Sequence, residues 1–144
     1  MIRKIVRIER SKWADDRAVF SWYDLRKPNL SALSEKGVSF ILKTASLHLE
    51  NGDILIAEDG YRILATIEKI ETYVFEFQNA LDFAKSAYMI GNRHQPIRIE
   101  DMKIVVLEDT AIADIVESLA LNKEVVVKKD LSVFAPNVNS SHTH

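Results

Sequence analysis

The spacing of apolar residues changes character once along this chain, near Ile70, and that change constrains the fold more than any single motif. Upstream, apolar residues come in short alternating runs: Ile2, Ile5, Val6 and Ile8; then Val19 to Trp22; then Val38 to Leu42 after Gly37. Such runs read as strands. Between them stand turn-forming stretches: Arg26-Lys27-Pro28-Asn29, Asn51-Gly52 and Asp59-Gly60. Asn-Gly and Asp-Gly favour tight turns because these residues tolerate positive φ. Short strands and closely spaced turns without a helical stripe predict a small β-sandwich or barrel-like domain over residues 1–69.

Downstream, strand and helix patterns alternate. Tyr73, Phe75 and Phe77 share one face of a strand, because side chains alternate along it. Asn79 can cap a helix with Asp82 three residues on, and Leu81, Ala84, Ala87 and Tyr88 form its apolar stripe. Gly91 is expected to stop that helix. Ile97 to Ile99 and Met102 to Leu107 read as strands joined at Glu100-Asp101. Asp109 or Thr110 caps a second helix, with Ile112, Ile115, Val116 and Leu119 at i, i+3, i+4 and i+7 and Asn122 as a left-handed terminator. Glu124 to Lys128 complete a β-α-β-β-α-β order. The fold class is therefore α+β: an N-terminal all-β domain over 1–69, a ferredoxin-like domain over 70–134, and a flexible His-containing tail over 135–144.

Composition narrows the chemistry. Of 144 residues, 47% are hydrophobic and 28% charged, which suffices for a packed core. There is no cysteine, so thiolate metal sites and thiol nucleophiles are excluded, and any transition metal must be held by imidazole or carboxylate. The net charge of −2 argues against nucleic acid as a partner. No apolar run approaches the ~20 residues needed to span a bilayer. The opening Met1-Ile2-Arg3-Lys4-Ile5 lacks a signal-peptide core, so no membrane association and a cytoplasmic location are expected.

Four histidines, His48, His94, His142 and His144, are the candidate soft-metal ligands. Imidazole suits nickel, copper and zinc. His142 and His144 stand two apart in a polar tail, a metal-binding composition that is equally compatible with a tail of no function. His48, just before the Asn-Gly turn, reads as a structural or surface residue. His94 follows a helix in Gly91-Asn92-Arg93-His94-Gln95-Pro96. One such histidine is too few for a site, but near a two-fold axis it meets its own copy and becomes two ligands. Gly91, Asn92 and Arg93 shape the connection and are not ligands, since Arg93 cannot lose its proton. No phosphate loop, nucleophile elbow or paired-histidine metalloprotease motif is present.

The run Ala87-Tyr88-Met89-Ile90-Gly91-Asn92-Arg93-His94 resembles the signature of the urease accessory protein UreE family: an aromatic, a variable and an aliphatic residue followed by Gly-Asn-Arg-His. The resemblance extends to Leu49 through Leu55, to Trp22 through Lys27, to the helix over Asp109 to Leu121, and to Pro136 with the histidine-containing end. It implies a nickel metallochaperone, not an enzyme. The first domain would resemble peptide-binding modules of co-chaperones. The second would bind metal and dimerise. His94 of each subunit would hold Ni2+ at the homodimer interface with help from His142 and His144, with Zn2+ or Cu2+ as substitutes in vitro. Delivery would go to apo-urease through an accessory GTPase and the other accessory proteins. Met89 stands where some relatives have a second histidine, and Met102 to Glu108 contains none, so one principal interfacial site per dimer is expected.

Two other readings start from the residues. A ferredoxin-like sheet bearing Tyr73, Phe75 and Phe77 could stack on RNA bases, although the basic-aromatic motif of such domains is missing. A metal hydrolase could use His94 with Glu100 and Asp101, although no general-base constellation stands at a recognisable spacing.

Overall fold

A computed structural model describes residues 1–10, 13–43 and 49–138. The chain divides into two compact units, Met1–Lys69 and Ile70–His144. The first contains β1 (Ile2–Glu9), β2 (Asp16–Phe20), a 3-10 turn (Asp24–Arg26), β3 (Leu30–Leu33), β4 (Ser39–Leu42), β5 (Ile54–Ala57) and β6 (Arg62–Ile67). They form one sheet in the order β2-β6-β5-β1-β4-β3. The β5–β6 hairpin turns at Asp59-Gly60, where Gly60 takes φ +85° and its N–H donates to the Ala57 carbonyl at 2.9 Å. At the other turn signal only Gly52 takes positive φ (+91°), while the Asn51 side chain accepts from the Ile67 N–H at 2.7 Å.

Non-local pairing closes this unit. β1 pairs with β4 and β2 with β6, both parallel. Phe20 on β2 meets Phe40 on β4 edge-on, with ring centroids 6.1 Å apart. Those strands lie far apart in sheet order, so the sheet curls over a core that also includes Ile5, Leu30, Leu42, Leu55 and Ile63. The buried Asp16 carboxylate ties three segments together. It accepts from the Ser34 hydroxyl, from Tyr61 Oη at 2.9 Å, and from the backbone N–H groups of Arg17 at 2.7 Å and Lys36 at 3.2 Å. Burial opposes its ionisation, but these donors prevail and hold it below the usual carboxylate range. The strand expected over Val19 to Trp22 stops at Phe20. There Ser21 and Asp24 exchange side-chain-to-backbone bonds of 2.9 and 3.1 Å and start the 3-10 turn. Strand β3 was not foreseen from the sequence; its one buried side chain, Leu30, gives little periodicity to detect.

The second unit runs β7 (Ile70–Phe77), α1 (Ala80–Asn92), β8 (Ile97–Glu100), β9 (Lys103–Leu107), a 3-10 turn (Thr110–Ile112), α2 (Ala113–Ala120) and β10 (Val125–Ser132). Its antiparallel sheet has the order β10-β7-β9-β8. The order β-α-β-β-α-β is therefore present among the described residues. Phe75, Phe77, Ile97, Ile104, Val106 and Val125 from the sheet pack with Ile90, Ile112, Ile115 and Leu119. Phe77 stacks on Phe83 of α1 at 5.6 Å. With Phe75 fully buried and Phe77 6% exposed, this aromatic face is core and cannot serve as the base-stacking platform of the RNA reading.

Several local expectations are corrected. The inner face of α1 carries Phe83, Ser86, Ala87 and Ile90, whereas Leu81, Ala84 and Tyr88 face solvent. The helix thus has two apolar stripes, and burial chose the one that meets Phe77. Gly91 does not stop the helix, which continues to Asn92. Met102 lies in the β8–β9 turn at φ +55°, not in the strand. Asn122 does not take a positive φ; its side chain accepts from Glu124 N–H at 2.9 Å and donates to Asp82 at 3.0 Å. The last strand runs to Ser132, and residues 135–138, expected to begin a loose tail, are bonded to β8.

A glycine inside a helix costs roughly 0.5–1 kcal/mol relative to alanine, and a Cβ on Gly91 would meet nothing within 4 Å. Gly91→Ala should therefore raise the stability of the metal-free protein by about that amount in urea unfolding. A loss of stability would show that position 91 needs a glycine-only conformation.

Candidate functional site

The end of α1 is built to present His94. Asn79 opens the helix, its Oδ1 accepting from the Asp82 N–H at 2.8 Å. At the far end the Arg93 N–H donates to the Ile90 carbonyl at 3.1 Å and the His94 N–H to the Gly91 carbonyl at 3.0 Å, tightening the last turn. His94 then takes φ +58°, a left-handed conformation that costs a non-glycine residue roughly 1–2 kcal/mol. That residue reverses the chain into Gln95, Pro96 and β8, with its side chain exposed.

Arg93 locks this turn to the second helix. Its Nη1 donates to Asp114 Oδ1 at 2.8 Å and to the Ala111 carbonyl at 2.8 Å, and its Nη2 donates to Asp114 Oδ2 at 2.7 Å. The two parallel bonds form a bidentate fork, the strongest arrangement available to a guanidinium and a carboxylate. The Arg93 hydrogen bond lowers the Asp114 carboxyl to about 2, and the same bond raises the Arg93 guanidinium.

On its other side the turn has the end of the described chain. Asn137 and Val138 lie along β8, and Val138 bridges Ile97 in antiparallel sense. Ile97 is three residues from His94. α1 carries the exposed apolar side chains Leu81, Tyr88 and Met89, of which Tyr88 is 75% exposed.

Of the four histidines, only His94 falls among the described residues; His48, His142 and His144 lie outside them. Among the described residues no three His, Cys, Asp or Glu side chains converge on a point that could hold a metal ion. One chain therefore offers a single imidazole in the described region, too few for a closed site. Glu100, one of the two carboxylates of the hydrolase reading, is engaged elsewhere. It accepts from Arg98 Nε at 2.8 Å and pairs with Lys103 at 3.6 Å, and these contacts hold it below its ordinary range. A carboxylate so held is a poor general base. Asp114 and Asn137 were not singled out from sequence, and the outer stripe of α1 was expected to face the core. The only signal for Asp114 was an acidic residue in a helix's first turn, and for Asn137 an asparagine following a proline.

Residues 67–144 match the family described as UreE urease accessory protein, C-terminal domain. A urease accessory protein UreE from Aliarcobacter butzleri (strain RM4018) is 42% identical over 144 residues, covering 100% of this chain and 97% of the relative. This chain belongs to the UreE family. UreE from Verminephrobacter eiseniae (strain EF01-2) is 31% identical over 80% of this chain and 69% of its own length. UreE from Ruegeria pomeroyi (strain ATCC 700808 / DSM 15171 / DSS-3) is 32% identical over 80% and 76%. As a UreE protein, the chain is a urease accessory protein and not an enzyme. No helix among its described residues is long and apolar enough to cross a membrane.

Asp114 is ionised in the fold down to a lower pH than in the unfolded chain, so its contribution to stability is present above about pH 4 and is lost as pH falls toward 2. Its side chain is 67% exposed, so the effect is small and weakened by salt. Asp114→Asn should flatten the stability profile in that window and leave it nearly unchanged at higher pH, apart from a constant offset. An unchanged slope between pH 4 and 2 would refute the assignment.

Proposed function

We propose that this chain is a nickel metallochaperone that delivers Ni2+ to apo-urease during assembly of its active site, with the metal as cargo. The observation that carries the reading is the Gly91-Asn92-Arg93-His94 turn of a UreE chain, which presents an exposed imidazole on a left-handed residue anchored to α2. Imidazole nitrogen suits nickel, copper and zinc, and Zn2+ or Cu2+ would substitute in vitro.

In this reading the second unit is a ferredoxin-like domain that dimerises. The exposed stripe Leu81, Ala84 and Tyr88 runs along α1 toward His94 and supports a second copy of the chain as its cover. A two-fold axis there would bring two His94 imidazoles together. His142 and His144 of the tail complete the coordination. The bridge of Val138 to Ile97 supports this, because it holds the last described residue beside the strand that follows the His94 turn. Fixed and mobile ligands suit a carrier: when a tail ligand leaves, a partner's ligand can enter before the imidazoles let go. His48 is not a ligand.

The first unit would dock a partner of the urease assembly pathway, which includes an accessory GTPase and the apo-urease complex. Support comes from a groove of about 440 Å³ where β1 and β4 diverge. Val6, Leu30 and Ile41 line it, with Lys4 and Lys43 among its polar side chains. It suits an extended segment carrying apolar and acidic residues. The protein would act in the cytoplasm, without nucleic acid or membrane as a partner.

The test is calorimetric nickel titration with mass measured in solution. His94→Ala should remove the principal site and cut urease activation severely while the protein stays folded and dimeric. Deleting Ser140 to His144 should only weaken binding, by about 10- to 100-fold if outer-ligand losses are the guide. Wild-type affinity in a dimeric His94→Ala protein, or a wild type that is monomeric at micromolar concentration with and without nickel, would overturn the reading.

A further inference from the structure

Ile90 at the end of α1 and Ile97 at the start of β8 are both buried in the core of the second unit, and residues 91–96 connect them. The connection reverses at His94, whose φ of +58° is uncommon for a residue with a Cβ. The N–H groups of Arg93 and His94 donate to the carbonyls of Ile90 and Gly91, closing a last turn of the helix. Such ends fray readily, and a strained residue keeps its conformation only when its surroundings impose it. The turn therefore needs a tie to something that does not move with it.

The Arg93 side chain makes that tie, and α2 is a firm place to make it. Asp114 stands between Ile112 and Ile115, both fully buried, so the backbone that carries its exposed carboxylate is fixed by the core. The Ala111 carbonyl that Arg93 Nη1 also reaches belongs to a capped turn, because Asp109 Oδ1 accepts from the Ala111 N–H at 2.9 Å. The two parallel bonds from Arg93 to Asp114, at 2.8 and 2.7 Å, fix the orientation of the guanidinium as well as its distance. A lysine at position 93 would offer a charge without the planar fork.

We propose that Asp114 is a positioning residue for nickel: through Arg93 it keeps the turn in the one conformation from which the His94 imidazole binds. The role rests on the reading that His94 is a ligand and deepens it. Apparent affinity scales with the fraction of protein in the binding-competent conformation. An exposed pair with bidentate geometry biases such an equilibrium by roughly two- to fivefold. A site that takes one imidazole from each of two chains needs both turns competent, so the bias enters twice and reaches about four- to twenty-five-fold.

Nickel affinity is measured by calorimetry at neutral pH and low salt for the full chain, His94→Ala, Asp114→Asn, Arg93→Gln, the Arg93→Gln/Asp114→Asn double variant and Asp114→Glu. Urea stability and mass in solution are measured on each without metal. Asp114→Asn and Arg93→Gln should each lose about four- to twenty-five-fold in affinity while remaining folded and dimeric. The double variant should lose no more than either single one, because both act through one fork. Asp114→Glu, which can rebuild the fork, should recover most of the loss. The ring signals of His94 in nuclear magnetic resonance of the metal-free protein, identified by their absence in His94→Ala, should broaden or shift in Asp114→Asn. Should Asp114→Asn not fold, Arg93→Lys decides in its place, with the same loss expected. Wild-type affinity in Asp114→Asn, when His94→Ala has lost the site, would overturn the proposal and leave the ligand reading standing. Additive losses in the double variant would overturn it too, as would a loss that only follows falling stability or dimer content and that Asp114→Glu does not repair. If a dimeric His94→Ala protein keeps wild-type affinity, the ligand reading fails and the role of Asp114 with it.

Discussion

The surroundings of His94 depend on the packing of two helices against one face of β7. Phe75 and Phe77 are buried there, and β7 pairs with β9 on one side and β10 on the other. α1 is pressed onto this face through Phe83, Ala87 and Ile90, and the 3-10 turn and α2 through Ile112, Ile115 and Leu119. With both helices held on the same face, the end of the first lies beside the start of the second. Only then can Arg93 reach Asp114 and the Ala111 carbonyl. The apolar contact supplies most of the free energy, and the fork, at an exposed position, contributes mainly geometry. A strained residue such as His94 persists only where its neighbours over-determine it. Here a helix end, an ion pair and a strand do so.

The same packing decides what is left outside. A helix 13 residues long with apolar side chains on two faces can bury only one against a single sheet. Burial of Phe83 and Ile90 leaves Leu81 and Tyr88 in solvent. The exposed His94 therefore stands at the end of a helix whose outer face is apolar, and no cluster of His, Cys, Asp or Glu side chains converges within the described part of one chain.

Much was legible along the chain, and the limits have physical causes. The second helix was readable because all four of its periodic apolar residues face one core. The first helix was misread in its facing because Leu81, Ala84 and Tyr88 have the same spacing as residues that do face a core, and periodicity carries no information about which stripe wins. Gly91 was misread because glycine's freedom permits a stop without requiring one. The hairpin at Asp59-Gly60 was legible, being local; the parallel pairs β1–β4 and β2–β6 were not, since contacts between distant segments leave no mark in a short window. His94 was legible as chemistry, from residue type and motif. Its left-handed backbone was not, because positive φ is uncommon for any non-glycine residue and nothing in the local sequence requires it there.

The sequence by itself determined the element order of the second unit, the restriction of any transition-metal site to imidazole or carboxylate through the absence of cysteine, and the family signature ending at His94. These follow from periodicity and residue chemistry, which are properties of the chain read one window at a time. Tertiary structure decided which stripe of α1 is buried, that Arg93 is paired with Asp114 twenty-one residues away, and that Asn137 is fastened to Ile99 thirty-eight residues away. Each of those outcomes is a competition between partners distant in sequence, settled by which pairing the packed sheet brings within a hydrogen bond's reach.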